Sequence, residues 1–435
     1  MKWKKMYESK LVSVEEAASK IESGDTIWMP SASSAPVDLA NALENRYKEL
    51  ENVDLISGLV TNPFRYLTDE LKGHINGHTW FVGGYERKGL KSGNLDAASV
   101  NLSKLHIYAE NKNCNVLMAE VSQPDEDGYM SYGPLGAMGN DGVAKKAEKI
   151  IVQVNKNTPY VHGVNNKIHV SKVDYICEKD HPLSILPNAP TTETDEKIAS
   201  YILPLIPDGA TIQIGIGGTA NAVAYGLEDK KDLGVHTEML TDSMVYLAKK
   251  GVINNSKKNY MPGKMVISFG VGSQELYDFM DDNPLIHMDY IKTINDANEI
   301  AKNDNFISIN SGLMVDLTGQ VGSEGIGYNQ YSATGGQLDF VRGAAMSKGG
   351  KSFLCLHSTV KTKDGIKSRI NLALPQGTPI TTPRSDTQYL VTEYGVAYVY
   401  CKSISERAKA IINIAHPDFR EELTQQAIEA GLIKE

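Results

Sequence analysis

A single carboxylate stands out in the stretch DLGVHTEMLTDSMVYL, residues 232–247. Glu238 follows the short lead-in Gly-Val-His-Thr and comes shortly after the glycine-rich segment TIQIGIGGTANAV. A side-chain carboxylate can attack an electrophilic carbon and form a covalent intermediate when its surroundings activate it. A solvated or capping carboxylate is the alternative interpretation, and the letters HTEM alone do not separate the two.

The glycines of QIGIGGTANAV lie between a predicted strand and a predicted helix. Gly215, Gly217 and Gly218 would let backbone amides approach a ligand, and the helix N-terminus would favour negative charge. The pattern is not a complete GxGxxG, and no acidic residue follows a strand at the distance typical of dinucleotide sites. A plain tight turn therefore stays open as the alternative.

A second glycine cluster occurs in YSATGGQLDFVRGA, residues 331–344. Adjacent Gly335 and Gly336 leave one face of the backbone without side chains, so a bulky substrate could approach it. The amide of Gly336 could then donate a hydrogen bond to a developing oxyanion. The alternative is a loop glycine that is needed for a positive φ.

Two other polar stretches contain residue types that occur in catalytic or metal sites, but they lack the spacing or the partners that such sites need. In SQPDEDGYMSYG the carboxylates Asp125, Glu126 and Asp127 lack the spacing of a calcium loop, which favours a solvated turn. His416 in INIAHPDFREEL has no Ser or Cys elbow nearby, which favours a helix start over a catalytic triad. We expect no metal site.

The composition narrows the class of protein. The chain has 435 residues, enough for two domains, and its 41% hydrophobic and 22% charged content is typical of globular proteins. A net charge of −9 argues against nucleic acid or anionic lipid as a partner. Cys114, Cys177, Cys355 and Cys401 form no CxxC pair, and no signal peptide or membrane span is evident. We expect a cytoplasmic protein.

Strand-like and helix-like segments alternate, which predicts two open α/β domains with mainly parallel sheets. DTIWMP, VDLISGLV, CNVLMAEV and KIIVQV are typical of buried strands. The stretch from His181 to Lys197, rich in Pro, Thr and charge, predicts a linker, so we place the domains at 1–188 and 189–435. After it, TDEKIASYILPLI predicts a helix capped by Thr194 or Asp195.

Nine motifs in order along the chain carry a family resemblance. They are PDEDGYMSYG, IIVQVNKNTPYVHG, IHVSKVDYI, IQIGIGGTANAV, GVHTEMLTDS, GQVGSEGIG, ATGGQLDFVRGA, LVTEYGVA and IAHPDFR. With them the sequence resembles the class I CoA-transferases nearly end to end. It is most similar to the branch that holds 4-hydroxybutyrate CoA-transferase, butyryl-CoA:acetate CoA-transferase and the acetyl-CoA hydrolases.

The resemblance implies roles for single residues. Glu238 matches the nucleophilic glutamate of the family's H-[ST]-E-M stretch. Gly336 matches the region that supplies the oxyanion donor, with Gly335 and Ser332 next to it on the side that faces CoA. The segments that line the CoA site in the family correspond to Gln213, Ile214, Gly215, Ile216, Gly217, Asn310, Gly312 and Lys361.

The implied fold is the CoA-transferase (NagB/RpiA-like) fold, with Glu238 in the C-terminal domain. The implied reaction moves CoA from a short-chain acyl-CoA, such as acetyl-CoA, butyryl-CoA or 4-hydroxybutyryl-CoA, to a short-chain carboxylate through a glutamyl-CoA thioester. No cofactor or metal is implied, because CoA is itself the substrate and part of the covalent intermediate. We expect a homodimer or a homotetramer.

Two alternatives stay open beside this transferase. One is an acetyl-CoA hydrolase that uses the same glutamate, with water intercepting the glutamyl-CoA. The other is a non-catalytic α/β protein that binds CoA or a phosphate ligand. The N-terminal segments PSASSAPVDL and GLVTNPFRYL depart from the relatives, which leaves the identity of the carboxylate acceptor open.

Overall fold

The computed structural model describes residues 2–434, and the chain divides into two compact units. The first contains the chain up to Pro187 together with Glu238–Asp242 and Val266–Ile294. The second contains Asn188–Thr237, Ser243–Met265 and the chain from Asn295 onward. Residues 179–192 form neither helix nor strand, as their Pro- and Thr-rich composition predicts.

A wholly parallel sheet forms in the first half of the chain. The strands there are β1 (Thr26–Trp28), β2 (Val53–Ser57), β3 (Ile75–Thr79), β4 (Leu95–Ala97), β5 (Val116–Val121), β6 (Tyr129–Ser131), β7 (Lys149–Val154), β8 (Lys167–His169) and β9 (Tyr175–Glu178). Seven of them follow the order β4-β3-β2-β1-β5-β7-β9, with every pairing parallel. β6 and β8 pair separately and antiparallel. The four predicted strands lie in β1, β2, β5 and β7 and are confirmed.

Two helices, α1 (Lys2–Lys10) and α2 (Val14–Ala18), precede the first strand. The crossover connections of the parallel sheet contain the other helices, α3 (Val37–Asn45), α4 (Gly84–Ser92), α5 (Leu105–Asn111) and α6 (Asn140–Ala144). α3 buries Leu39, Ala40 and Leu43 on one face, which is the spacing expected of an amphipathic helix. These residues join a core cluster with the buried side chains of β2 and β5.

A second, mainly parallel sheet carries the predicted site. Its strands and the shorter ones around them are β10 (Thr211–Ile214), β11 (Gly234–Leu240), β12 (Met265–Gly270), β13 (Ile286–Met288), β14 (Phe306–Ser311), β15 (Met314–Asp316), β16 (Val321–Gly322), β17 (Gly325–Ile326), β18 (Asn329–Gln330), β19 (Lys351–Cys355), β20 (Thr359–Thr362), β21 (Gly365–Ser368), β22 (Ile370–Asn371), β23 (Tyr389–Thr392) and β24 (Gly395–Tyr398). The sheet order is β13-β12-β11-β10-β14-β19-β23-β24. β10 is parallel to both β11 and β14, β19 is parallel to both β14 and β23, and β24 pairs antiparallel with β23 at the edge of the sheet. The predicted α/β class with mainly parallel sheets is confirmed.

The helices of this part are α7 (Glu193–Ile202), α8 (Gly218–Tyr225), α9 (Asp242–Lys249), α10 (Gln274–Met280), α11 (Ile291–Ile294), α12 (Ala297–Ile300), α13 (Gln337–Met346), α14 (Ile404–Asn413) and α15 (Pro417–Glu429). Across residues 2–434, every helix is too short or too polar to span a lipid bilayer. His416 is the N-cap of α15 and accepts a hydrogen bond from the Asp418 amide at 3.3 Å, so the predicted helix start is confirmed. Asp125 accepts bonds from the amides of Asp127 and Tyr129, as a turn-forming carboxylate does.

The predicted cap of α7 is wrong by two or three positions. Thr192 is the N-cap, and Asp195 is its partner in a capping box: each side chain accepts a hydrogen bond from the backbone amide of the other. The Asp195 carboxylate also accepts bonds from the Thr219 hydroxyl in α8 and from Nε2 of His357 at 2.8 Å. One carboxylate thus joins the starts of α7 and α8 to the segment after β19.

The Asp195 contacts predict an acid-sensitive part of the stability. Burial alone would raise the pKa of Asp195, but hydrogen bonds from Thr219, His357 and Thr192 outweigh it and lower the pKa to about 2. A carboxyl group whose folded pKa lies below its unfolded value of roughly 3.9 stabilises the fold above that value, and the contribution is lost as the pH falls toward 2. We expect Asp195→Asn to lower the free energy of unfolding by roughly 1–3 kcal/mol at pH 7.

Urea unfolding of wild type and Asp195→Asn between pH 7 and pH 2 measures this effect. The gap between the two proteins should be constant above about pH 4 and narrow between about pH 4 and pH 2. Glu421→Gln, on the exposed side of α15, is the control and should leave the profile unchanged. A gap of the same size at every pH would contradict the role given to the Asp195 charge.

Candidate active site

Glu238 lies near the carboxyl end of β11, a strand that is otherwise buried. Its side chain is half-buried, and its neighbours Thr237 and Met239 are both buried. β11 runs parallel to β10, with Thr211 opposite Gly234 and Ile212 opposite Val235. In open α/β sheets, ligands bind beyond the carboxyl ends of the strands, and Glu238 is the third residue from that end of β11.

Polar side chains form hydrogen bonds with one another where β10 and β14 end. Gln213 is 2% exposed, and its amide exchanges two hydrogen bonds with Asn310: Nε2 donates to Oδ1, and Nδ2 of Asn310 donates to Oε1, both at 3.1 Å. The Ser308 hydroxyl donates to the same Oε1 at 2.7 Å. The structure therefore brings together two residues that the sequence places 97 positions apart.

The chain leaves β10 through the turn Gly215-Ile216-Gly217 and enters α8. The Gly215 amide still donates to the Ile309 carbonyl at 2.9 Å, whereas Ile216 is 47% exposed. Gly217 is the N-cap of α8 with φ 115°, a conformation that residues with a side chain rarely adopt. The unpaired amides of the first helical turn follow immediately. The arrangement is suited to an anionic or carbonyl ligand.

The second glycine pair starts α13. Gly335 has φ 60°, and Gly336 is the N-cap with φ −99°, so the positive-φ interpretation applies to Gly335 and not to Gly336. Both glycines are buried, and the Gly336 amide belongs to the group that has no partner inside the helix. Such an amide is available as an oxyanion donor.

Ser332 is held to the loop that precedes this glycine pair. Its amide donates to the Glu324 carbonyl at 2.8 Å, and its own carbonyl accepts a bond from Nε2 of Gln330 at 2.7 Å. The side chain of Ser332 is half-buried. Burial raises the pKa of the neighbouring Glu324 carboxyl, although a hydrogen bond with Thr334 partly opposes this shift.

The two remaining predicted residues occupy different surroundings. Gly312 follows β14, and its amide donates to the Cys355 carbonyl at 2.8 Å. A Cβ atom at Gly312 would lie 2.9 Å from Val321, so a larger residue would force the two apart. Lys361 is exposed in the hairpin of β20 and β21, opposite Ile366. Their proposed contacts with CoA stay predictions.

Two supporting residues were missed from the sequence. Ser308 lies two positions before Asn310 in β14, so its side chain lies on the same face of the sheet, and this spacing was a usable signal. Gln337 opens α13 and donates through Nε2 to the hydroxyls of Ser323 and Thr382, at 2.9 and 3.0 Å. No local sequence pattern predicts these contacts, because the partners of Gln337 lie 14 and 45 positions away.

The three buried cysteines are poor candidates for an alternative nucleophile. Cys114, Cys177 and Cys355 are unpaired and buried, and burial raises the pKa of each thiol to about 12. A thiol with such a pKa has almost no reactive thiolate at neutral pH. Within the described part of the chain, residues 2–434, no group of three or more His, Cys, Asp or Glu side chains is arranged to hold a metal ion.

Glu120 and His181 form a hydrogen-bonded pair near the end of the chain segment that makes up most of the first unit. Glu120 is 0% exposed and accepts hydrogen bonds from Thr158 at 2.7 Å and Asn155 at 3.2 Å, while its second oxygen lies 2.5 Å from Nε2 of His181. Burial would lower the pKa of His181, but the contact with Glu120 outweighs it and raises the pKa to about 9. The pair fixes the beginning of the irregular segment 179–192, to which His181 belongs.

Comparison with known proteins places both halves of the chain in one family. Residues 1–187 match the model of the acetyl-CoA hydrolase/transferase N-terminal domain, and residues 272–427 match that of the C-terminal domain. The 4-hydroxybutyrate coenzyme A transferase of Clostridium kluyveri is 40% identical over 431 residues, which cover 98% of this chain and 99% of that protein. The butyryl-CoA:acetate CoA-transferase of Anaerostipes caccae is 40% identical over 441 residues, or 99% of each chain.

The crystal structure of RipA from Yersinia pestis has the same fold. It matches this chain with a TM-score of 0.92 and 37% sequence identity, and the match covers 100% of both chains. The resemblance stated from the nine sequence motifs is confirmed. This chain belongs to the acetyl-CoA hydrolase/transferase family.

Proposed function

We propose that the protein transfers CoA from a short-chain acyl-CoA to a short-chain carboxylate, with Glu238 as the nucleophile. The observation that carries the proposal is the place of Glu238, half-buried near the carboxyl end of β11, beside the strand that ends in the Gln213–Gly217 segment. Full-length similarity to two CoA-transferases supports the same reaction. Acetyl-CoA, butyryl-CoA and 4-hydroxybutyryl-CoA are the proposed donors.

In the first step a carboxylate oxygen of Glu238 attacks the carbonyl carbon of the acyl-CoA. The C–S bond breaks, which leaves an acyl-glutamyl anhydride and the CoA thiolate. In water a carboxylate is a poor nucleophile because its charge is well solvated. A site that replaces water by fixed dipoles and holds both groups at reacting distance removes much of that barrier.

In the second step the CoA thiolate attacks the glutamyl carbon of the anhydride. The original acyl group leaves as a carboxylate, and a glutamyl-CoA thioester remains. An incoming carboxylate then attacks this thioester, and the two steps run in reverse to give the new acyl-CoA and free Glu238. The thioester is not hydrolysed at any step, so its free energy is conserved. The reaction therefore requires no ATP, metal or other cofactor.

Every step passes through a tetrahedral oxyanion, which needs hydrogen-bond donors in a fixed position. The Gly336 amide at the start of α13 is our proposed donor, and the hydrogen bonds of Gln337 to Ser323 and Thr382 hold that helix start in place. We assign CoA contacts to the segment Gln213–Gly217 and to Asn310, Gly312, Ser332, Gly335 and Lys361. The amide pair of Gln213 and Asn310 supports this assignment, since it fixes the ends of two adjacent strands.

We further propose that the protein acts as a homodimer or homotetramer.

The transferase and the hydrolase use the same glutamate, and they differ in whether water or a carboxylate reaches the glutamyl-CoA. Both relatives described above are named as transferases, and this favours the carboxylate.

Trapping of Glu238 tests the nucleophile directly. Acetyl-CoA without an acceptor should leave CoA attached to the enzyme, because the first half-reaction needs no second substrate. Borohydride should then reduce the glutamyl thioester to an alcohol, inactivate the enzyme and change the mass of the single peptide that contains GVHTEMLTDS. A free carboxylate resists borohydride, so enzyme treated without acetyl-CoA should stay active.

Variants sharpen this test. Glu238→Ala should be inactive and unmodified, and Glu238→Asp should be slow because its carboxylate is one methylene short. Glu228→Ala is the matched control, since that carboxylate lies on the surface and pairs with Lys250. Full activity and an unmodified peptide after treatment of wild type would rule out the covalent mechanism.

Gly336→Val tests the oxyanion donor. A β-branched side chain would cover the face that the thioester approaches and would tilt the amide. We expect kcat to fall by roughly 10²–10³, the usual cost of one lost oxyanion donor, while CoA binding weakens much less. Gly84→Val is the control, because Gly84 begins a helix in open surroundings, where the nearest atom to an added Cβ is 3.9 Å away. An unchanged kcat would remove Gly336 from the mechanism.

Dependence on the acceptor separates the transferase from the hydrolase. We expect acetyl-CoA to be consumed rapidly only when butyrate or 4-hydroxybutyrate is added, with the matching acyl-CoA as the product. Chromatography of the CoA esters measures both quantities. Free CoA released at the same rate without any acid would instead establish the hydrolase, and CoA binding with no turnover would support a non-catalytic protein.

A further inference from the structure

Lys258 is an unusual lysine because it is buried. Only 4% of the residue is exposed, and its side-chain nitrogen Nζ donates to two backbone carbonyls, Val235 at 2.7 Å and Lys264 at 2.6 Å. No carboxylate among residues 2–434 pairs with it. Buried lysines are rare and normally have a counter-ion, so this one needs a specific explanation.

The two carbonyls identify what Lys258 connects. Val235 lies in β11, three residues before Glu238, and Lys264 directly precedes β12. β11 and β12 are neighbours in the sheet. Lys258 therefore joins the beginnings of two adjacent strands through its side chain, at a place where backbone atoms would ordinarily make the connection.

The backbone of β11 shows why a side chain is needed there. Successive residues of a strand direct their amide and carbonyl to opposite neighbours. Gly234 donates to Ala210 on the β10 side, whereas Leu233 exchanges backbone bonds with Val252 and Asn254 on the other. Val235, next in that alternation, has its amide bound by the side chain of Asn255 at 2.9 Å and its carbonyl by Lys258.

The chemistry of the amine fits two acceptors. Burial lowers the pKa of Lys258 to about 7. A neutral amine has two N–H groups, and both are used here, whereas an ammonium ion would bury a third donor. The stem of the lysine lies against Gly234, where an added Cβ would come within 2.4 Å of Cγ and 2.7 Å of Cδ.

From this geometry we infer that Lys258 is a positioning residue for the transfer reaction: with Asn255 it fixes β11 along its own axis and so sets the position of Glu238. The inference rests on the proposed role of Glu238 as the nucleophile. Lys258 itself takes no part in the chemistry. Glu238 is three residues from Val235 on the same extended strand. Because an extended chain is close to its maximum length, a shift of Val235 along the strand axis also shifts Glu238.

Lys258→Met tests the inference by keeping the apolar volume and removing the donor. A misplacement of about 1 Å at a reacting group can cost on the order of 10²-fold in rate. We therefore expect kcat to fall between about tenfold and hundredfold, while KM for the acyl-CoA changes less than about threefold, since no CoA contact is removed. The single-turnover rate at which CoA becomes attached to Glu238 should fall by the same factor.

Arg407→Met is the matched control for a merely structural effect. Arg407 is 5% exposed and also donates to two backbone carbonyls, those of Thr318 and Lys402, neither of which belongs to the predicted site. Its substitution should lower the melting temperature with kcat unchanged. If Lys258→Met behaves like Arg407→Met, with lower stability and normal kcat at a temperature where both are folded, the inference is overturned.

Gly234→Ala provides a second route if Lys258→Met fails to fold. The new methyl group must displace the lysine stem without deleting its donor, so kcat should fall in the same direction. Where Lys258→Met does fold, the double variant should be little slower than either single variant, because all three break one interaction. A normal kcat in Gly234→Ala, or multiplicative losses in the double variant, would contradict the inference.

The trapping experiment keeps the two proposals apart. If wild type forms no CoA adduct on Glu238, the proposed function fails, whatever Lys258 does. If wild type forms the adduct and Lys258→Met forms it at the same rate, the positioning role fails while the proposed function stands.

Discussion

Hydrogen bonds among Gln213, Ser308 and Asn310 satisfy the polar groups at the carboxyl ends of β10 and β14. An unpaired amide at the depth of Gln213 would cost roughly 1–3 kcal/mol, so each of these side chains requires the others. These bonds join β10 to β14 just before the chain leaves β10 at Ile214 and turns through Gly215. The group therefore stabilises the two strand ends from which the turn and the α8 N-terminus extend.

The same principle governs the start of β11, where the solution is different. The Asn255 side chain supplies the acceptor and the Lys258 side chain supplies the donor that a longer neighbouring strand would supply from its backbone. This solution buries an amine, and the two hydrogen bonds from its Nζ to the Val235 and Lys264 carbonyls offset part of the cost. Side-chain hydrogen bonds thus stabilise the end of β10 and the beginning of β11, the two strands that border the proposed site.

The sequence pattern predicted much of this arrangement, and its failures have physical causes. Apolar runs located β1, β2, β5 and β7, because a parallel strand that is covered on both faces is rich in apolar residues. The cap of α7 was misplaced because Thr192, Thr194 and Asp195 are all good capping residues, and the choice depends on Asp195 reaching Thr219 and His357. Gly335 and Gly336 look alike in sequence, yet only Gly335 has a positive φ. Gln337 and Lys258 act through partners far along the chain, Ser323 and Thr382 for the first and Val235 for the second, and no local periodicity reveals such contacts.

The Asp195 carboxylate has a consequence for how this part of the molecule opens. It contacts Thr192 before α7, Thr219 in the first turn of α8 and His357 after β19, and a Cβ atom at Gly218 would lie 2.7 Å from its Oδ2. None of these segments can loosen without releasing a buried charge that the others hold. The helix cap, the glycine turn and the strand end therefore form a single cooperative unit, which opens as a whole and not by fraying from one end.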